Sequence, residues 1–147
     1  MQRRTFLLAG TTVLLLPLRP IAGAPGRATL YKDPQCGCCE GYADYLRRNG
    51  FEVDVKPTND LAEISRKAGI PEAMEGCHTM FLDGYVIDGH VPVTIVRKLL
   101  AEKPTIAGIT LPGMPAGSPG MGGTKTEKFV VYSVTKDGKA PTVYATE

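Results

Sequence analysis

Ala28-Thr29-Leu30-Tyr31-Lys32-Asp33-Pro34-Gln35-Cys36-Gly37-Cys38-Cys39 is the stretch from which the fold can be read. Its first four residues are a short strand candidate, Lys32 to Gln35 turn the chain, and the cysteines fall where a helix begins. Tyr42, Tyr45 and Leu46 then recur at helical spacing, Arg47 and Arg48 oppose the dipole in the last turn, and Asn49-Gly50 is a stop signal. Working outward, Phe51-Glu52-Val53-Asp54-Val55 alternates as a second strand, and Asp60 with Glu63 offers a capping box for a second helix that Gly69 closes. Residues 79–82 and 85–87 read as two strands joined by Asp83-Gly84, because Asp-Gly readily takes the positive φ angles of a two-residue hairpin turn. A third helix follows from about Pro92, with Val93, Val96, Leu99 and Leu100 on its apolar face and Lys103-Pro104 as its end.

Strand, helix, strand, helix, hairpin, helix is the order of an α/β, thioredoxin-like or glutaredoxin-like domain, a central sheet with helices on both faces. The first cysteine group lies where that fold carries its reactive site. From 105 to 123 the glycines and prolines predict a long loop rather than a core element, and residues 129–134 and 142–144 predict a C-terminal β-hairpin that extends the sheet.

The chain has 147 residues. It opens with Arg3-Arg4-Thr5-Phe6-Leu7-Leu8 and an apolar run to Leu16 that is too short for a membrane span and is followed by the small residues Ala22-Gly23-Ala24. This is a signal-peptide pattern of twin-arginine type, which predicts export in the folded state to the periplasm. The expected organisation is a signal peptide at 1–24, a thioredoxin-like metal-binding domain at 25–104, a Gly/Pro/Met loop packing on it at 105–123 and the hairpin extension at 124–147. Removing the signal takes away Arg3, Arg4 and Arg19 and turns the net charge from +2 to −1. The remaining chain has no basic stripe for nucleic acid and no second hydrophobic segment for stable membrane insertion.

Cys36, Cys38 and Cys39 stand at a helix start, where free N–H groups and the positive dipole end favour thiolate over thiol. Thiolates bind soft metals. Cys77-His78, directly before the third strand, would supply the other half of the site. The donor set favours copper(I), with zinc ranked below it. Several clustered thiolates carry more negative charge than one ion neutralises, which favours either protonation of some thiols or several bridged copper ions. His78 can join Cys77 as a ligand only if the strand has not begun at Cys77, since neighbours on a strand face opposite ways. His90 fits a capping or hydrogen-bonding role better than ligation; Met114 and Met121 could be thioether ligands or parts of a lid; Met74 and Met80 belong to core elements. The rival reading is a metal-free thiol–disulfide oxidoreductase using Cys36 and Cys39. Glu75-Gly76-Cys77-His78-Thr79 weakens it by lacking the proline that such enzymes place beside their dithiol.

Cys36-Gly37-Cys38-Cys39, Gly76-Cys77-His78-Thr79, Gly89-His90-Val91-Pro92 and the segment from Met114 to Met121 together resemble the CopG-type periplasmic copper-resistance proteins, over about residues 27–123. The resemblance implies a thioredoxin-like fold and a multinuclear copper site on the cysteines. It also implies a role in copper handling or copper redox conversion. A metal-binding protein is favoured over a copper-dependent oxidoreductase, and another periplasmic copper or electron-transfer protein is the expected partner besides copper ions.

Overall fold

The computed structural model describes residues 26–147, so the signal-peptide reading of 1–24 lies outside the described residues. A seven-stranded sheet forms the centre, with the spatial order β2-β1-β3-β4-β5-β6-β7. Its strands are β1 (Arg27–Lys32), β2 (Glu52–Pro57), β3 (His78–Leu82), β4 (Tyr85–Asp88), β5 (Gly108–Thr110), β6 (Val130–Val134) and β7 (Thr142–Thr146). The helices are α1 (Gly37–Arg48), α2 (Leu61–Lys67) and α3 (Val93–Glu102), with one 3-10 turn at Glu72–Met74. None of the described helices is long and apolar enough to cross a membrane.

Strand alternation sorts the chain into two unlike faces. Leu30, Met80, Ile87 and Ile109 are register partners across four adjacent strands. All four are fully buried. They meet the apolar stripe of α1 (Cys39, Tyr42, Ala43, Leu46) and that of α3 (Val96, Leu99) in one cluster. Each buried leucine, isoleucine, valine or methionine among them contributes about 1.5–3 kcal/mol. On the other face the matching row is polar: Thr79, Asp88 and Thr110 are register partners, also buried, and α2 places Ser65 against Thr79. Here the apolar packing is a smaller cluster of Ile70, Val86 and Val134. Helices thus cover both faces of the sheet.

The β3–β4 hairpin turns at Asp83 and Gly84, at φ 48° and 82°, as the Asp-Gly pair predicts. The C-terminal hairpin forms as β6 and β7 and extends the sheet at its edge. Two local expectations are corrected. Gly108–Thr110, placed in the loop by composition, is a buried strand between β4 and β6. Gly108 is there because its neighbour leaves no room: a Cβ would run into the carbonyl oxygen of Val86. The capping box at Asp60 does not form either, for Asp60 makes no side-chain cap and its N–H instead donates to Thr58 Oγ1 at 3.0 Å.

Candidate metal centre

The site lies where the end of β1, the start of α1 and the start of β3 converge. Antiparallel pairing of β1 with β3 sets Lys32 opposite His78, so the residues just beyond them, Cys36 to Cys39 and Cys77, are brought to one end of the sheet. Cys36 is the N-cap residue of α1, and Cys38 and Cys39 lie in its first turn. Cys36 and Cys39 are joined by a disulfide, while Cys38 and Cys77 are free thiols. Cys38 Sγ is 3.4 Å from Cys36 Sγ and 3.8 Å from Cys77 Sγ, and Cys77 Sγ is 3.5 Å from Cys39 Sγ. All four sulfurs fall within 4.8 Å of one another.

A second group shares two of these sulfurs. Cys39, Cys77, His78 and His90 also offer ligand atoms within 4.8 Å of one another. Strand β3 starts at His78, so Cys77 precedes it and the condition for both to face one site is met. His78 Nδ1 is 3.7 Å from Cys77 Sγ, and its Nε2 is buried with no hydrogen-bond partner. Burial, with His90 beside it, depresses His78 to about 3, so it is neutral and free to donate a lone pair. The hydrogen-bonding role expected of His90 is present, and the ring also reaches the cysteines: Nδ1 donates to the carbonyl of Pro119 at 2.6 Å while Nε2 lies 2.9 Å from Cys77 Sγ. It is a hydrogen-bonding residue and also a member of the site. Gly89-His90-Val91-Pro92 carried the signal, but nothing local to that motif shows it beside Cys77.

Tyr42 stacks on His78 at 4.7 Å between ring centroids and donates its hydroxyl to Val91 O at 2.8 Å. Tyr45 accepts from Val93 N–H at 3.0 Å, so both tyrosines tie α1 to the start of α3. Met114 is 44% exposed, whereas Met80 is core and Met74 packs partly buried on the smaller cluster.

The donor set fits a soft metal: four sulfurs and two imidazoles converge, and Nε2 of His78 is a buried polar atom without a hydrogen-bond partner. Metal-free Cys77 is a thiol, pushed up to about 12 mainly by burial and then by Cys38 nearby. A metal at Cys77 would therefore displace a proton.

Two solved structures of a copper resistance protein CopG, its forms 2 and 1, are similar to this chain. Each is 35% identical over 84% of this chain and 98% of the other, with TM-scores of 0.77 and 0.76. This chain belongs to the CopG family. A family model described as a protein of unknown function, DUF411, matches residues 74–121, the part of the CopG-family chain that carries Cys77, His78 and His90. No curated protein matches the sequence.

The Cys77 side of this CopG-family site is held from the opposite face of the sheet. Asp88 accepts from Gly76 N–H at 2.5 Å and from the Thr79 hydroxyl at 2.7 Å, and Ser65 lies 2.6 Å from that hydroxyl. Gly76 has no space for a side chain, since a Cβ would lie 2.6 Å from Gly89 Cα. Burial pushes the Asp88 carboxyl up to about 6, against the pull of its two hydrogen bonds. The folded protein then keeps a proton that the unfolded chain releases near 3.8. Asp88 therefore contributes stability that is complete below the unfolded value and is lost as pH rises through the folded one, about 3 kcal/mol in all. Asp88→Asn, which keeps an acceptor for Gly76, is expected to flatten this part of the stability curve between pH 4 and 6. Urea unfolding at both ends of that range measures it, and an unchanged slope would refute the assignment.

Proposed function

We propose that this protein is an exported, periplasmic copper-handling protein that holds copper(I) as cargo at Cys36, Cys38, Cys39 and Cys77, with His78 and His90 as further donors. The observation that carries the reading is the fusion of two donor groups through Cys39 and Cys77, one of four sulfurs and one of two sulfurs and two imidazoles. The names of the similar structures supply the metal. Two donor groups sharing two thiolates accommodate more than one ion, because a thiolate sulfur can bridge and each added cation offsets the mutual repulsion of the thiolates. The arginine pair before the apolar N-terminal run supports export, and copper in an oxidising compartment calls for a site that shields its soft state.

Loading all four sulfurs requires the Cys36–Cys39 bond to be opened by an external dithiol, which gives two electrons and two protons and leaves as a disulfide. Run the other way, the same pair gives the site a redox role. Two copper(II) ions take the two electrons released as the Cys36 and Cys39 thiolates join, leaving two copper(I) ions and the disulfide. A docked copper or electron-transfer protein is the partner such turnover calls for.

The disulfide itself favours a second reading, thiol–disulfide exchange without metal. Cys38, Cys77 and the two histidines have no task in that chemistry. Anaerobic titration of the reduced protein with copper(I) against a chromophoric chelator decides between them. More than one tightly held copper per chain is expected. Saturation at one would remove the multinuclear site, and no binding beside rapid reduction of a model disulfide would establish the exchange enzyme.

A further inference from the structure

We propose that the strap at residues 111–121 is a positioning device that fixes the tautomer of His90 through the carbonyl of Pro119, so that only Nε2 is presented to Cys77. A carbonyl oxygen can only accept, so the 2.6 Å contact from His90 Nδ1 to Pro119 O requires the proton on Nδ1. The neutral ring then has its lone pair on Nε2, 2.9 Å from Cys77 Sγ. Histidines that bind metals are commonly held by such a bond from their other nitrogen. Here the acceptor comes from the segment in which the sequence offers Met114 and Met121 as thioether donors.

The position of that carbonyl is set by a crossing of two glycines. Gly120, immediately after Pro119, lies against the backbone of α1 at φ 80°, and a Cβ on it would run into the Tyr42 amide nitrogen. Gly41 is the reciprocal position: a Cβ there would lie 2.9 Å from Gly120 O and 3.3 Å from Gly120 Cα. The strap keeps its own shape through Ser118 N–H to Pro115 O at 3.1 Å, Met121 N–H to Ser118 O at 2.9 Å and Gly117 N–H to Gly122 O at 3.1 Å. It starts from Leu111, whose N–H donates to Asp88 O at 3.0 Å. The strap is thus braced at both ends, and α1 presses it down onto His90.

The inference rests on the cysteine–histidine site of the proposed function, but it does not need copper to be bound. The test is long-range 1H–15N correlation spectroscopy of the metal-free, reduced protein, which reports the tautomer of each histidine directly. Gly41→Ala is the main variant, because alanine strengthens the helix while its methyl group lifts the strap. Gly122→Ala is the control, since a Cβ there meets nothing within 4 Å. Wild type and Gly122→Ala should show His90 protonated on Nδ1. Gly41→Ala should lower the ratio of Nδ1–H to Nε2–H at least about tenfold and weaken copper(I) binding with it. Gly120→Ala should do so more strongly. Nε2–H in the wild type, or Nδ1–H unchanged in both glycine variants, would overturn the inference. A shifted tautomer with no copper bound by any variant would overturn the proposed function alone and leave the strap in its role.

Discussion

Cys77→Ser is expected to remove at least half of the copper bound by the reduced protein and to weaken what remains by about 100-fold or more, since even indirect partners of a metal ligand are worth 10–100-fold. Cys77 belongs to both donor groups, so its loss leaves neither complete. Cys38 belongs only to the four-sulfur group, and Cys38→Ser should therefore retain the part held by Cys39, Cys77 and the histidines. Serine is close to cysteine in shape and its hydroxyl can bond to His90, so the fold should survive and the loss should be one of donors. Elemental analysis beside a thiol count, on protein prepared without oxygen, gives both numbers. Equal copper in Cys77→Ser and wild type would mean that the sulfur cluster is not the copper site.

Lys32→Ala is expected to lower stability by about 3 kcal/mol and the melting temperature by roughly 10–15 °C, a large effect for a residue that touches no donor atom. Lys32 is 2% exposed and lies at the end of β1 on the core face. Its ammonium donates to Asp33 O and Cys36 O at 3.1 Å and to Pro34 O at 3.4 Å, and it pairs with Glu40 Oε1 at 3.2 Å. The turn leading into Cys36 is in effect wrapped around one buried charge. Alanine leaves those carbonyls without their donor, a cost set by desolvation rather than by the modest net gain of each bond, while Glu40, half exposed, is left to water. The oxidised protein is the right sample, because there the Cys36–Cys39 bond holds the turn independently of metal. A melting temperature within about 3 °C of wild type would show that water replaces the ammonium at no cost.

The same residue shows where the sequence stops being legible. Lys32 follows Ala28 and Leu30 in period-two alternation, so its inward direction could have been read from the strand, but a lysine at a strand end more often turns to solvent. Only the four acceptors around it explain why this one stays inside. Gly108–Thr110 is a similar case. Three residues are too few for a periodic signal, and a Gly-rich setting reads as loop, yet pairing on both sides makes them a central strand.

By itself the sequence determined the described helices, the strands other than β5, and their order, because apolar spacing, helix stops and the Asp-Gly turn are local and need no partner to act. It also determined the first half of the site, since three cysteines within four positions at a helix start cannot lie far apart. Tertiary structure alone decided the rest. Cys77 meets Cys38 and Cys39 because β3 pairs antiparallel with β1, and His90 joins them because β4 folds back beside β3. Pro119 reaches His90 because a strap far along the chain crosses α1 where two glycines leave room. Sequence spacing holds no information on distances of this kind, for they are set by sheet register and close backbone contact, which exist only once the whole core has packed.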